Sequence, residues 1–152
     1  MRSTNSHRRV VLGPLTVSGT DWQAVDLGLL GTSGILVNAV YRLDAGGTGT
    51  GTGMEVKVVC GAYDPATITS AQIAAIPDEN VVYSEGSISL TADATDGETT
   101  NISTSVGDAA VYDRRGGAGY SNEDRTVMLV LKGDGTLNGS VYVCLSAKDT
   151  GR

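Results

Sequence analysis

The sequence predicts an all-β protein: a jelly-roll-like antiparallel β-sandwich with one short helix and an extended N-terminal arm. Three observations lead there. Short runs rich in Val, Ile, Leu, Tyr and Thr recur along the chain, separated by segments of Gly, Asp, Ser and Thr. Gly occurs 21 times and Pro 3 times in 152 residues, which suits many tight turns between strands. Helical spacing is confined to one short stretch. Eight or nine strand-like runs with no internal repeat argue for stacked sheets rather than a parallel α/β fold, and eight strands in two sheets suggest a jelly roll. An immunoglobulin-like sandwich is the structural rival.

Residues 1–9 form a basic arm with Arg2, His7, Arg8 and Arg9 and no acid, and residues 10–152 form the β-sandwich domain. A first strand runs from Arg9 to Val17. Gly13-Pro14 interrupts it, and because Pro cannot donate to a ladder this points to an edge or a bulge. Asp21–Leu27 alternates without a clear inward face, and Trp22 is assigned to the core. Ile35–Leu43 is a long strand with Ile35, Val37, Ala39, Tyr41 and Leu43 on one face. Met54–Cys60 alternates cleanly, with Met54, Val56, Val58 and Cys60 inward and Glu55 and Lys57 outward. The Gly-rich segment Ala45–Gly53 between these two strands reads as a hairpin tip. Thr69 or Ser70 caps a helix over Ala71–Ile76 that Pro77 stops; so short a helix needs the sheets to support it and is placed as a cover on them. Asn80–Ser84 and Ser87–Ala92 are two short strands around Glu85-Gly86. A weaker strand region spans Ile102–Tyr112, and Asp113–Asp124 is a long loop.

The C-terminal stretch Thr126–Leu145 carries the strongest β signal. Val127–Leu131 is apolar at consecutive positions, so both of its faces should be covered. With Val141–Leu145 and the intervening GDGTLNG it has the form of an antiparallel hairpin.

Composition limits function. The formal net charge is −6, and between Lys57 and Arg114 there are nine acids and no base. An acidic body disfavours general nucleic-acid binding, which needs a basic surface. It leaves the arm suited to docking on an acidic neighbour, another copy of the chain included. No window is apolar enough to span a membrane, and no apolar segment follows the N-terminal arginines as it would in a secretory signal. Cys60 and Cys144 read as buried free thiols, with a disulfide as the alternative.

Candidate chemistry is sparse. The glycines of Gly46–Gly53 precede a strand, whereas a phosphate loop must open a helix. Asp93, Asp96 and Glu98 do not match the spacing of a calcium loop, so no metal is assigned. His7 is the only histidine and lies in the arm, which leaves nucleophilic triads and zinc sites without support. Lys132-Gly133-Asp134 is accounted for by a turn, and Asn101-Ile102-Ser103 and Asn138-Gly139-Ser140 are glycosylation sequons in form only, since no export signal is expected. Arg114 and Arg115, beside Gly116 and Gly117, are placed to clamp a partner carboxylate, as Arg2, Arg8 and Arg9 are from the arm. The sequence points to a non-enzymatic protein without a cofactor.

The phrases GTDWQAVDLG, TSAQIAAIPD and GDGTLNGSVYVCL resemble the capsid decoration, or cement, proteins of tailed bacteriophages. The resemblance is one of style over most of the chain. It implies a β module that forms dimers or trimers on the capsid exterior and binds the major capsid protein. There it would bridge neighbouring subunits against internal pressure, after synthesis in the host cytoplasm. It supplies no functional residue to carry over. A carbohydrate- or receptor-binding sandwich using Trp22 is one alternative, and a head-completion or tail protein is another.

Overall fold

Alternation leaves most strands with one apolar face to bury, and in the computed structural model two sheets bury those faces against each other. The structure describes residues 7–28, 33–45, 50–89, 99–105, 111–113, 125–137 and 139–149. These hold nine strands: β1 (His7–Leu15), β2 (Gln23–Asp26), β3 (Ser33–Ala45), β4 (Gly53–Gly61), β5 (Val81–Ser89), β6 (Thr99–Ser105), β7 (Val111–Asp113), β8 (Thr126–Gly133) and β9 (Gly139–Asp149). One sheet has the order β1-β9-β3-β6, with β7 also pairing β3; the other has the order β2-β8-β4-β5. We call them sheets A and B.

Every pairing among the described strands is antiparallel. Strands β6 and β7 lie along successive parts of β3, opposite Asn38–Asp44 and Ser33–Ile35, and so occupy one strand position. Counted that way there are eight positions. The chain passes between sheets at β1–β2, β2–β3, β3–β4, β5–β6, β7–β8 and β8–β9, and stays within sheet B from β4 to β5. This is the jelly-roll connectivity.

Two expected hairpins are corrected by it. Neither β8 and β9 nor β3 and β4 pair; each couple is split between the sheets. The local pattern is the same in either case, because strands on opposite sheets also turn one apolar face to a shared core. Asn80–Ser84 and Ser87–Ala92 are likewise not two strands. β5 runs unbroken through Glu85-Gly86 and absorbs its irregularity as register shifts against β4.

The core between the sheets takes Val56, Val58, Leu129, Leu131, Tyr41, Leu43, Val143 and Leu145 among its buried members. Met54, Val56, Val58 and Cys60 all face it as expected. In β3 the expected phase fails at the start: Leu36 is buried and Val37 is 37% exposed. A register shift between Leu36 and Asn38 explains this, since one extra residue moves the following side chains to the other face. The Tyr41 hydroxyl donates to that of Tyr83 at 3.1 Å, which donates to Glu85 at 3.2 Å. Burial, and then the bond to Tyr83, hold the Tyr41 hydroxyl far above the ordinary tyrosine range.

Val127–Leu131 is buried at every position, as a continuous apolar run requires. Val127, Leu129 and Leu131 face the core; Met128 and Val130 join Val59 and Ile73 in a second cluster on the outer face of sheet B. The β4–β5 connection builds the cover for that face. Its helix α1 (Ser70–Ala74) is capped by Thr69, whose hydroxyl accepts from Gln72 N while the Gln72 side chain accepts from Thr69 N. Ile73 points down from this helix onto the sheet, with Tyr63, Ile68, Ile76 and Trp22 packed around it. The Ser70 hydroxyl accepts from Trp22 N, and the Thr126 hydroxyl donates to the Tyr63 carbonyl. Trp22 is therefore not in the main core. It is half-buried at the border of the outer cluster, with Lys57 and Lys132 ammoniums 5.3 and 4.9 Å from its ring.

Candidate interaction surface

Strand β1 is an edge of sheet A among the described residues, and it carries exposed apolar and basic side chains. It pairs only with β9 among the described residues. His7–Leu12 runs in unbroken register opposite Lys148–Val143, after which a register shift accommodates Gly13-Pro14 before Leu15. The reading of Pro14 as an edge and bulge residue therefore holds on both counts. Val10 is buried and Leu12 packs against the core, so Arg9 and Val11 face outward. Val11 is 64% exposed, the higher of the two exposed large hydrophobics in the described residues; the other, Val37, lies on the same outer face. Across the sheet, Val11 neighbours Cys144 and then Val40, while Tyr142 neighbours Arg42, whose guanidinium stands 4.6 Å from the Tyr142 ring. Cys60 faces the core from sheet B and Cys144 faces outward from sheet A. Neither is in a disulfide, and their opposite facing keeps the two thiols apart.

Of the five arginines assigned to partner binding, the structure places two. Arg8 and Arg9 lie in β1, exposed, opposite Ala147 and Ser146. The sheet thus begins at His7, inside the segment read as an arm. Arg2, Arg114 and Arg115 lie outside the described residues, as do Asp93, Asp96 and Glu98. The strand ends nevertheless show a relation that sequence could not. β1 begins at His7 beside Lys148, and β7 ends at Asp113 beside Ser33, both at one end of sheet A. The chain on the N-terminal side of β1 and the chain that follows β7 attach to the sandwich at the same end. With neighbouring strands about 4.8 Å apart, the four strands β1, β9, β3 and β7 span about 15 Å there.

The opposite end is closed by its own loops. The Asp134 carboxylate accepts from Thr52 N at 2.8 Å, from the Thr52 hydroxyl at 2.8 Å and from Gly53 N at 3.1 Å. Those donors hold its pKa below the ordinary aspartate value. Gly51 N donates to the Thr136 carbonyl, Thr136 N to the Thr50 hydroxyl, and Gly19 N to the Thr136 hydroxyl. The β1–β2, β3–β4 and β8–β9 connections are thus joined. Close approach accounts for the glycines: a Cβ on Gly51 would stand 2.8 Å from the Gly135 carbonyl. Nothing in either Gly-rich segment announces that they meet.

A groove of about 350 Å³ beside these loops is lined by Thr20, Thr52, Glu55, Lys132 and Asp134, among others. Its charged groups are already engaged. Glu55 lies 3.6 Å from the Lys132 ammonium and 4.0 Å from that of Lys57, and Asp134 holds Thr52 and Gly53. The single histidine, His7, sits at the other end of the molecule. No group of three or more His, Cys, Asp and Glu residues among the described residues is arranged to hold a metal ion. No helix among them is long and apolar enough to cross a membrane.

No family model and no curated protein matches the chain. Among solved structures it is similar to a chain described as "nora virus structure", at 12% sequence identity and a TM-score of 0.32. The match covers 95% of this chain and 54% of that one, so this chain spans about half the length of the chain it matches.

Proposed function

We propose that the protein is a non-enzymatic structural virion protein that binds the outer surface of a phage capsid and stabilises it by bridging neighbouring capsid subunits. The observation that carries the reading is the edge of sheet A at β1, which pairs on one side only among the described residues and where exposed Arg9 and Val11 stand side by side. An accessible apolar side chain next to a guanidinium suits a polar-rimmed protein contact, with Arg as the residue that pairs carboxylates. The sandwich behind it is rigid, because both faces of β8 are packed and its loop end is tied together. A small rigid module with a modest contact gains from repetition: on a lattice, many copies convert weak contacts into high avidity. The similarity of GTDWQAVDLG, TSAQIAAIPD and GDGTLNGSVYVCL to decoration proteins supports the same reading. The partner is the major capsid protein, and the active form is a homo-oligomer on the capsid exterior.

Trp22 does not favour the carbohydrate alternative. Two lysine ammoniums lie against its ring, and it helps cover sheet B.

The test is the solution mass of the purified chain, followed by co-sedimentation with candidate tailed-phage capsids. A discrete dimer or trimer that saturates particles stoichiometrically is expected. A monomer that stays in the supernatant at every particle concentration would overturn the proposal.

A further inference from the structure

Four edge positions bound the two sheets among the described residues, and they are not equivalent; β7, which shares one of them with β6, has only 3 residues. β2 has only 4 residues. β5 is continuous but its pairing carries two register shifts against β4. β6 is regular but reads TTNISTS, with one apolar residue. Over His7–Leu12, β1 alone combines unbroken register with an apolar run, Val10–Leu12. A long, regular, apolar edge offers a row of backbone donors and acceptors to another strand.

We infer that the His7–Leu12 edge accepts an added strand from a different protein, an extended segment in which acidic residues adjoin apolar ones. This inference rests on the binding surface proposed above and specifies how it is engaged. Cross-strand neighbours stand about 5 Å apart. An incoming antiparallel strand therefore places apolar side chains opposite Leu12, Val11 and Val10, and carboxylates opposite Arg9 and Arg8 at the exposed end of the strand. Main-chain bonds supply the binding, and the charge pattern sets direction and register.

A second copy of this chain fits the edge less well. Two-fold self-pairing must match like faces, so within the regular stretch it sets Val10 against Val10 and Arg9 against Val11, or Arg9 against Arg9 and Arg8 against Val10, and in neither register does β1 of the second copy offer the arginines an acid. Shifting the pairing toward the C-terminal end of β1 runs it into the irregularity at Gly13-Pro14. Of the chain's own acid-bearing edge strands, β2 with Asp26 and β7 with Asp113 have only 4 and 3 residues, and β5 with Glu85 is interrupted by register shifts. Arginines on an open edge thus discourage self-association while admitting an acidic partner.

The experiment measures fluorescence anisotropy of short labelled peptides added to the full chain. One peptide carries the Thr-Thr-Val-Val-Val-Glu-Glu-Thr pattern, one has both Glu replaced by Lys, and one has alternate backbone amides N-methylated. The acidic peptide should bind. Arg8→Glu with Arg9→Glu should weaken it roughly tenfold or more in protein that keeps its β-sheet circular dichroism. The Lys and N-methyl peptides should bind no better than buffer controls. Equal binding of the acidic and Lys peptides, or undiminished binding after N-methylation, would overturn the inference. So would a wild-type dimer that dissociates when peptide is added, which would make a second copy the natural occupant. Particle binding separates the two proposals. If wild type and the double variant co-sediment equally with capsids, the capsid role stands and the strand acceptor falls as its mode. Peptide binding without any particle binding leaves the acceptor edge standing and removes the capsid role.

Discussion

The two outer faces of the sandwich have opposite fates. Sheet B's outer face carries Val59, Met128 and Val130, and the chain covers them with the connection that holds helix α1. Sheet A's outer face carries Val11, Val37, Val40 and Cys144, and the described residues provide no comparable cover, leaving Val11 64% exposed. The covered face is nearly as dry as the core between the sheets, with Met128, Val130 and Val59 each at 0%. An element recruited to shield one face contributes stability; a face left open is available for another molecule.

Substitutions separate the two faces by size of effect. Met128→Ala should cost about 2–5 kcal/mol in chemical denaturation, because it opens a cavity beneath a complete cover. Val11→Ala should change stability by no more than about 0.5 kcal/mol, as exposed positions do. A Met128→Ala cost below that of Val11→Ala would mean that the cover over sheet B is not packed in solution.

Asp134 sharpens the contrast between the ends of the sandwich. Asp134→Ala should destabilise by about 1–2 kcal/mol, since three donors lose their acceptor at an exposed site where water compensates in part. The sign of its pH dependence follows from the lowered pKa. The stabilisation is fully present above the unfolded aspartate value and is lost as pH falls through the folded one. The wild-type advantage over Asp134→Asn should therefore shrink on acidification below about pH 4. An advantage independent of pH there would show that the carboxylate charge is not what ties the loops.

The smallest effect is kinetic. In native protein a thiol reagent should modify Cys144 first and Cys60 only on opening, because Cys144 is half-exposed on sheet A and Cys60 faces the core. Comparable rates for both would contradict the assigned facing.

Legibility followed locality. Val127–Leu131 could be read as covered on both faces because consecutive apolar residues leave no wet side. The Thr69 cap, the alternation of Met54–Cys60 and the edge position of Pro14 were legible for similar reasons: each is set within a few residues. Pairing was not. Gly-rich segments serve equally as hairpin tips and as crossings between sheets, so β3–β4 and β8–β9 took the wrong reading. The Leu36–Asn38 shift inverted the facing of Val37, and nothing in ILVNAV marks it. For the interaction surface, the basic character of Arg8 and Arg9 was legible. Their membership of a paired strand was not, nor was the adjacency of Arg9 to an exposed Val11. Asp134 was passed over because its partners, Thr52 and Gly53, come from a loop that only the folded topology brings near.

Amide hydrogen exchange, compared between free and capsid-bound protein, tests the claim about the two faces most directly. Binding should protect the β1 amides over His7–Leu12 and leave helix α1 over Ser70–Ala74 unchanged. Protection of α1 with β1 unaffected would put the interface on the covered face and contradict the assignment to sheet A.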